Sequence, residues 1–269
     1  MRTGKDIIES KETEFHDKWA ADIEIDKIRV DESFEACTAP ENRMILERMG
    51  GLENKRILDI GCGAGEASVY FAKNGANVTA VDISANMLKV VKQLADKHGV
   101  SIDTKESTAD RLGFPDYTFD IVYAANLLHH VNIEATLSEI HRVLKNGGTL
   151  YSWDPLAHNP IINMYRRIAT DVRTSDEHPI KMKDLAYFRK LFSHVEYETT
   201  WFFTLWLFIK FYLVNRVSPN KERYWKKIID EHKKVEHTYD LLEKLDKVVL
   251  KIIPFLRRYC WNIVIIARK

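Results

Sequence analysis

Residues 56–65 read RILDIGCGAG, and this stretch decides the fold. Its first half is a short apolar run typical of a buried parallel strand, and its second half is a glycine cluster that permits a sharp turn. The residues that follow, as far as Lys73, have a helical pattern. This order predicts a strand, a tight turn and a helix, in which Gly61 and Gly63 allow close backbone approach and Gly65 allows close helix packing.

Alternating strands and helices continue on the C-terminal side of this stretch. Apolar runs predict four more strands, at residues 77–82, 100–104, 119–125 and 149–153. Ser84 is a natural N-cap for a helix that ends near His98, and the apolar positions of residues 133–144 form one face of a helix that ends at Asn146-Gly147-Gly148. Five strands alternating with helices predict an α/β protein with a doubly wound parallel sheet.

Composition excludes several other classes of protein. The 269 residues are 45% hydrophobic, which is enough for one large domain with a buried core. The three cysteines are scattered without a C-x-x-C pair, so they indicate neither a disulfide framework nor a zinc site and fit a reducing cytoplasm. Residues 1–15 lack a signal-peptide pattern, and the longest apolar run, residues 201–217, is shorter than the ~20 residues of a transmembrane helix. We expect a cytoplasmic protein, soluble or peripheral to a membrane.

Charge is divided unevenly along the chain. Residues 201–269 hold 15 Lys and Arg against 7 Asp and Glu, a net charge of +8, which leaves 25 against 32 and a net charge of −7 for the first 200 residues. The same C-terminal segment holds 13 of the 29 aromatic residues. An acidic body joined to a basic, aromatic segment predicts two roles on one chain. Because the body is acidic and the basic residues of the tail alternate with Glu and Asp, we expect no nucleic-acid partner.

The glycine cluster indicates which ligand the sheet binds. Ligands of open parallel sheets bind at the carboxyl ends of the strands, and Asp82 ends the second strand where its carboxylate can accept both hydroxyls of a ribose. A dinucleotide site would need a Gly-x-Gly-x-x-Gly turn and a helix N-terminus open to pyrophosphate. This chain has Gly-x-Gly-x-Gly followed by Glu66, whose carboxylate would lie where the pyrophosphate belongs. A nicotinamide-dependent oxidoreductase is therefore disfavoured.

Five motifs in their order along the chain resemble the class I S-adenosylmethionine-dependent methyltransferases, and most closely the small-molecule branch typified by the enzymes of ubiquinone and menaquinone biosynthesis. They are ILDIGCGAG at 57–65, Asp82, FDIV at 119–122, NLLHH at 126–130 and VLKNGG at 143–148. The resemblance covers residues 50–155. It implies S-adenosylmethionine as methyl donor and a seven-stranded Rossmann-like sheet whose last strand is antiparallel.

The resemblance also implies roles for individual residues around the donor. Asp82 would contact the ribose hydroxyls, and Ile83 and Met87 would pack against the adenine. Asn126 and Leu127 would lie beside the methionine portion. These residues follow the second and fourth strands, so they are predicted to meet at one edge of the sheet.

Two further predictions concern the donor's positive charge and its adenine. S-adenosylmethionine carries a sulfonium cation and an ammonium group, and Asp59 at the end of the first strand would balance this charge. Where the family often has Asp-Ala facing the adenine amino group, this chain has Thr108-Ala109, so that contact would fall to Asp110 or to the backbone. The predicted donor site is completed by Trp19 of the first helix and by the turn residues Gly61, Cys62, Gly63 and Gly65.

The acceptor side is predicted at the carboxyl ends of the fourth and fifth strands. Methyl transfer is an in-line displacement in which positioning supplies most of the catalysis, although an oxygen or nitrogen acceptor can need a proton acceptor. His129 and His130 follow the fourth strand and are candidates, together with His158 and Tyr165 beyond the fifth. The alternative is that the histidine pair is scaffold, one bonded to backbone and the other exposed. No metal site is predicted, because Asp154 has no adjacent carboxylate.

These assignments divide the chain into four parts. We predict an N-terminal helical lid over residues 1–50, the S-adenosylmethionine-binding core over 51–200, an aromatic and basic helical insertion over 201–258 and the final antiparallel strand over 259–269. Strand patterns at 194–200 and 261–267 place the insertion between the last two strands. Because the sixth strand is parallel to the first five, the insertion leaves from the active-site edge.

Two interpretations of the insertion are open. Aromatic residues beside basic ones in residues 201–234 suit a lipid-like acceptor taken from an anionic membrane surface, with peripheral membrane contact through this segment. Alternatively, the insertion is a helical cap whose aromatic residues pack on the domain or on a second subunit. Near the acceptor side, Arg166, Arg167 and Arg173 could bind a carboxylate or phosphate of the acceptor or pair with neighbouring acidic residues.

The function predicted is that of an S-adenosylmethionine-dependent methyltransferase (EC 2.1.1.-). It would move a methyl group to a small hydrophobic or lipid-like acceptor by in-line displacement. The alternative is an S-adenosylmethionine-binding partner or regulatory protein without transferase activity.

Overall fold

The computed structural model describes residues 4–168, 177–216 and 224–269. Its strands are β1 Arg56–Ile60, β2 Asn77–Asp82, β3 Asp103–Glu106, β4 Phe119–Ala125, β5 Leu144–Pro155, β6 His194–Thr200 and β7 Asn262–Arg268. The helices in these ranges are α1 Gly4–Ala21, α2 Glu32–Glu35, α3 Pro40–Met49, α4 Glu66–Lys73, α5 Ala85–His98, α6 Ile133–Val143, α7 Pro160–Ile168, α8 Leu185–Leu191, α9 Trp206–Leu213, α10 Tyr224–Asp230 and α11 His232–Ile252.

The seven strands form one sheet in the order β3-β2-β1-β4-β5-β7-β6. Strands β1 to β5 are parallel, β7 is antiparallel to both β5 and β6, and β6 is therefore parallel to the first five. The strand order reverses between β1 and β4, which is where open parallel sheets bind ligands. The predicted fold class is confirmed, including the antiparallel last strand and the helical insertion before it.

The boundary between α6 and β5 differs from the sequence prediction. α6 ends at Val143 and β5 begins at Leu144, so residues 146–148, which were predicted to end a helix, lie within the strand where its register against β4 shifts. Glycine is needed at the end of this bulge because a Cβ on Gly148 would lie 2.9 Å from the carbonyl oxygen of Lys145. The residues that were interpreted as a helix end therefore form a β-bulge in β5.

The predicted N-terminal helical region contains the three helices α1 to α3. A buried carboxylate connects α3 to the far side of the sheet. Glu41 accepts a hydrogen bond from Thr200 Oγ1 of β6 and another, at 2.9 Å, from Asn262 Nδ2 of β7. Burial raises the pKa of Glu41. The two hydrogen bonds from β6 and β7 thus hold the N-terminal helices against the core.

The insertion is partly packed and partly exposed. Trp201, Phe208 and Phe211 are buried in one apolar cluster with Ile162 of α7 and Tyr239 of α11, as the cap interpretation expects. Other large apolar side chains of the insertion are exposed: Trp206, Tyr212, Leu213 and Val214 near α9, and Leu241, Leu245, Val248 and Ile252 along α11. None of the helices that the structure describes is long and apolar enough to cross a membrane.

Candidate active site

The glycine turn after β1 has a left-handed backbone at three positions, with φ of +67° at Gly61, +52° at Gly63 and +90° at Gly65. A Cβ on Gly61 would lie 2.8 Å from Leu127 Cδ1, and one on Gly65 would lie 3.0 Å from Val91 Cγ2. At Gly63, by contrast, no atom of the described residues lies within 4 Å of that position. A side chain at Gly65 would therefore crowd Val91, one at Gly61 would have to displace the end of the Leu127 side chain, and Gly63 faces open space at the carboxyl edge of the sheet.

Asp82 closes the side of this space at the end of β2. One carboxylate oxygen accepts the backbone N–H of Gly63 at 3.0 Å, and the other accepts that of Ser84 at 2.9 Å. The side chain is buried, and burial raises its pKa. Carboxylate oxygens can accept further bonds. Asp82 is thus fixed beside the glycine turn, where the predicted ribose contact requires it.

Asp59 lies below the turn, on β1, and is buried. Its Oδ2 accepts a hydrogen bond from Ser68 Oγ at 2.6 Å, which ties β1 to α4. The pKa of Asp59 is raised to about 7, chiefly by burial, with the nearby carboxylates of Asp82 and Glu66 contributing and the hydrogen bonds from Ser68 opposing the rise. Three carboxyl groups therefore surround the turn, which favours a cationic ligand and disfavours a phosphate.

Helix α1 covers the site from the side of α5. Asp17 accepts a hydrogen bond from Ser84 Oγ at 2.5 Å, directly beyond Asp82. Trp19 is half-buried and packs against the apolar cluster that contains Met87, with the Lys226 ammonium 5.3 Å from its ring centroid. Ile83 is also half-buried. The structure thus brings Trp19 and Met87 together under α1, where Met87 is fully covered.

The remaining predicted donor residues divide between the site and the core. Asn126 has a φ of +53° and donates its N–H to the carbonyl of Trp153 at 2.6 Å, which turns the chain at the end of β4 beside the glycine turn. Cys62 packs its side chain into the core, so only its backbone faces the turn. The other predicted adenine contacts, Thr108, Ala109 and Asp110, follow β3 in a short turn.

The histidine pair after β4 is tightly held. His129 is buried, and its Nδ1 lies 2.8 Å from Asp154 Oδ1, which also accepts the His129 backbone N–H at 3.2 Å. His130 is half-buried, and its Nδ1 lies 3.4 Å from Glu12 Oε1 of α1. Ligand atoms of His129, His130 and Glu177 lie within 4.8 Å of one another. The sequence predicted no metal site, whereas the structure brings together three side chains that can coordinate a metal ion.

The other predicted acceptor residues lie elsewhere on this edge. His158 is exposed in the turn before α7. Tyr165 packs in the apolar cluster of the insertion, with its ring centroid 5.6 Å from that of Tyr224. Arg166 donates to Asn163 Oδ1 at 3.1 Å. The prediction for Arg173 lies outside the described residues.

Sequence reasoning missed Glu12, Glu177 and the orienting role of Asp154. Glu12 and Glu177 come from segments far from the histidines in the sequence, and neither stands in a motif. Asp154 offered a usable signal, because it ends β5, the strand that pairs with β4, and parallel neighbours end at the same edge. A carboxylate there is expected beside residues that follow β4.

Comparison with known proteins identifies the core. Residues 58–152 match the family described as methyltransferase domain. The ubiquinone biosynthesis O-methyltransferase of Nitrosomonas europaea is 34% identical over 128 residues, which are 46% of this chain and 54% of the relative. The sterol 24-C-methyltransferase of Gibberella zeae is 29% identical over 163 residues, which are 59% of this chain and 40% of the relative. The chain thus spans about half the length of these curated relatives.

A solved structure shows the same fold. Phosphoethanolamine N-methyltransferase 2 of Haemonchus contortus superposes with a TM-score of 0.57 and 23% identity, over 85% of this chain and 52% of that one. With the sheet order and the glycine turn, these matches define a class I S-adenosylmethionine-dependent methyltransferase fold. Within it, residues 58–152 are the part that matches the methyltransferase-domain family, and the matched relatives are named as a ubiquinone biosynthesis O-methyltransferase and a sterol 24-C-methyltransferase.

Proposed function

We propose that the protein transfers the methyl group of S-adenosylmethionine to a small hydrophobic acceptor. One observation carries the proposal: open space above Gly63 is bordered by the fixed carboxylate of Asp82. The chemistry of this place suits a nucleoside without phosphate, because its ribose hydroxyls can donate to Asp82 and no anion has to approach the carboxyl groups around the turn. The sulfonium and ammonium charges of the donor are complementary to the same carboxyl groups.

Donor binding is tested by a matched pair of glycine substitutions. Gly63 and Gly99 both have positive φ, +52° and +67°, and both would place a Cβ in open space among the described residues. Alanine should therefore cost about the same conformational energy at each, roughly 1 kcal/mol. We expect calorimetry to show one S-adenosylhomocysteine site per chain, with affinity at least tenfold weaker in Gly63→Ala and unchanged in Gly99→Ala. Equal affinities in the two variants would contradict the site.

The acceptor class is supported by the relatives and by the insertion. The curated relatives are named for ubiquinone and sterol, which are hydrophobic molecules. The insertion leaves β6 at the carboxyl edge of the sheet and places a buried aromatic cluster there. Tritiated methyl transfer into a cell extract, separated into lipid, small-molecule and macromolecular fractions, should label the lipid or small-molecule fraction. Label confined to the macromolecular fraction would contradict this acceptor class, and donor binding without transfer in any fraction would favour the regulatory alternative.

The reaction itself needs few protein groups. A lone pair of the acceptor atom forms a bond to the methyl carbon while the carbon–sulfur bond breaks and its electron pair goes to sulfur, which leaves S-adenosylhomocysteine. The chain's contribution is to align the two reactants and exclude water. His129 and His130 follow Leu127 in the chain, and the Leu127 side chain lies against Gly61. Their role as proton acceptors stays a prediction.

Peripheral membrane contact is the second part of the proposal. The exposed apolar side chains at the end of α9, in a segment of positive net charge, support contact with an anionic surface. Leu213 of α9 and Leu241 of α11 are equally exposed, at 63% and 65%. We expect sedimentation with phosphatidylcholine vesicles containing phosphatidylglycerol to fall severalfold in Leu213→Asp but not in Leu241→Asp. Absence of vesicle binding in the unmodified protein would contradict this contact.

A further inference from the structure

Three metal-ligating side chains meet at the carboxyl end of β4. The ligand atoms of His129, His130 and Glu177 all lie within 4.8 Å of one another, although Glu177 is 47 residues beyond His130 in the chain. Ligand atoms about 2.0–2.1 Å from a tetrahedral zinc ion are separated by roughly 3.3–3.5 Å. Small side-chain movements therefore suffice to bring the three groups into coordination distance.

The backbone holds the two halves of this cluster together. The N–H of His178 donates to the carbonyl oxygen of His129 at 2.7 Å, so the residue before it, Glu177, is held next to the histidine pair. His129 is buried, and the other two members are half-buried. A solvated acidic patch has no such backbone connection and no histidine at its centre.

A buried carboxylate orients His129. Asp154 lies with Oδ1 2.8 Å from His129 Nδ1 and is itself fully buried. Its Oδ2 has no hydrogen-bond partner among the described residues. Protein metal sites commonly contain this pattern, in which a carboxylate accepts the Nδ1–H of a ligating histidine and leaves Nε2 to the metal. A nearby cation would also offset the cost of burying the Asp154 carboxylate.

His130 repeats the pattern from the opposite side. Its Nδ1 lies 3.4 Å from Oε1 of Glu12, a buried residue of α1. Both imidazoles therefore have Nδ1 near a carboxylate oxygen, and the proposed site uses Nε2 of each. α1 also contacts the donor site, through the Asp17–Ser84 hydrogen bond. The cluster and the donor site thus share one covering helix.

We propose that His129, His130 and Glu177 bind a divalent transition-metal ion, with zinc as the first candidate. Two imidazoles and one carboxylate are a donor set that zinc sites use when a coordination position stays open for an exogenous ligand. Asp154 and Glu12 are positioning residues, because each acts on the metal through a histidine. The proposal rests on the proposed methyl transfer only for the ligand at the open position.

In the proposed transfer, the open position would take the hydroxyl oxygen of an oxygen acceptor. Coordination lowers the pKa of a bound hydroxyl, so its proton leaves to water and the oxygen keeps the electron pair. This pair forms the bond to the methyl carbon as the carbon–sulfur bond breaks toward sulfur. The metal would thus activate the acceptor in place of a histidine base.

Metal binding is tested without reference to activity. Untagged, chelator-treated protein is titrated with Co²⁺ and, by calorimetry, with Zn²⁺. We expect one ion per chain with micromolar or tighter affinity, and Co²⁺ absorption typical of nitrogen and oxygen ligands without a thiolate charge-transfer band. Failure of the unmodified protein to bind either ion at tenfold excess would overturn the proposal, as would a thiolate band.

Variants locate the ion and separate the two hypotheses. Glu177→Gln and His130→Ala should weaken Zn²⁺ binding at least tenfold, and Asp154→Asn should weaken it 10- to 100-fold through His129. The control is His178→Ala, which keeps the backbone bond to His129 and should leave Zn²⁺ affinity unchanged. Equal Zn²⁺ affinity in Glu177→Gln and His178→Ala would overturn the site. S-adenosylhomocysteine binding is measured on the same samples, so loss of donor binding would indicate failure of the proposed function or of folding instead.

Discussion

Asp59 makes donor binding depend on pH. Burial raises the pKa of this carboxyl to about 7, with Asp82 and Glu66 adding to the rise, so about half of it is protonated at neutral pH. The donor brings positive charge to the turn, which favours the ionised carboxylate. If only the ionised form binds, the apparent dissociation constant is multiplied by 1 + 10^(pKa − pH). Between pH 8 and pH 6 this factor rises from about 1.1 to about 11, a tenfold loss of affinity or about 1.4 kcal/mol.

Calorimetry with S-adenosylmethionine from pH 6 to 8 measures this effect directly. Titrations in two buffers of different ionisation enthalpy should show release of about half a proton per donor bound at pH 7, rising toward one proton at pH 6. Ser68→Ala removes the 2.6 Å hydrogen bond that lowers the pKa of Asp59, so the midpoint should move to higher pH. Asp59→Asn removes the ionised form and should weaken donor binding at least tenfold at pH 8, with any remaining pH dependence due to Asp82, whose pKa burial also raises. An affinity independent of pH in the unmodified protein would refute the reasoning.

The raised pKa of Asp59 also affects the folding stability of the donor-free protein. The folded-state pKa of Asp59, about 7, lies above the value near 4 expected in the unfolded chain. The folded state therefore binds the proton more tightly than the unfolded chain does. The contribution of Asp59 to the free energy of unfolding is greatest below about pH 4 and is lost as the pH rises to 7. The slope approaches about 1.4 kcal/mol per pH unit between these limits. Asp59→Asn should reduce this slope in denaturant titrations of the donor-free protein.

Two further predictions concern the scaffold. Glu41→Ala leaves the donors of Thr200 and Asn262 without their buried acceptor and should lower the free energy of unfolding by about 1–3 kcal/mol. Glu41→Gln keeps an acceptor oxygen and should lower it much less. Urea denaturation compares the two variants, and an equal loss of stability would contradict the assignment. Gly65→Ala places a Cβ 3.0 Å from Val91 at a φ of +90° and should lower the free energy of unfolding by about 2–3 kcal/mol. In urea denaturation, the double variant with Val91→Ala should recover part of this loss. No recovery would show that packing against Val91 is not the cause.

Local signals carried most of the fold. The glycine turn, Ser84 as N-cap and the apolar runs of β1, β2 and β4 act through nearest neighbours, and their boundaries agree with the structure. The Asn-Gly-Gly run before residue 149 was misread because the same residues end helices and form bulges, and only the pairing of β5 with β4 distinguishes the two. The same residues suit a helix end and a β-bulge, and pairing with β4 determines which of the two forms.

The donor site was more predictable than the acceptor side for a physical reason. Its predicted members are mostly the first residues after parallel strands, so topology alone brings Gly63 and Asp82 together. The cluster at His129 depends instead on a helix from the N-terminus and a loop after α7. Contacts such as Glu12 with His130 join segments far apart in the chain, and periodicity carries no information about them.

The central claim is that the nucleoside of S-adenosylmethionine fills the space above Gly63. A crystal structure of the protein with S-adenosylhomocysteine tests it most directly. We expect both ribose hydroxyls within hydrogen-bond distance of the Asp82 carboxylate, and the amino-acid portion on the side of Asp59. A nucleoside bound elsewhere, or no density for it at saturating concentration, would contradict the assignment of this site.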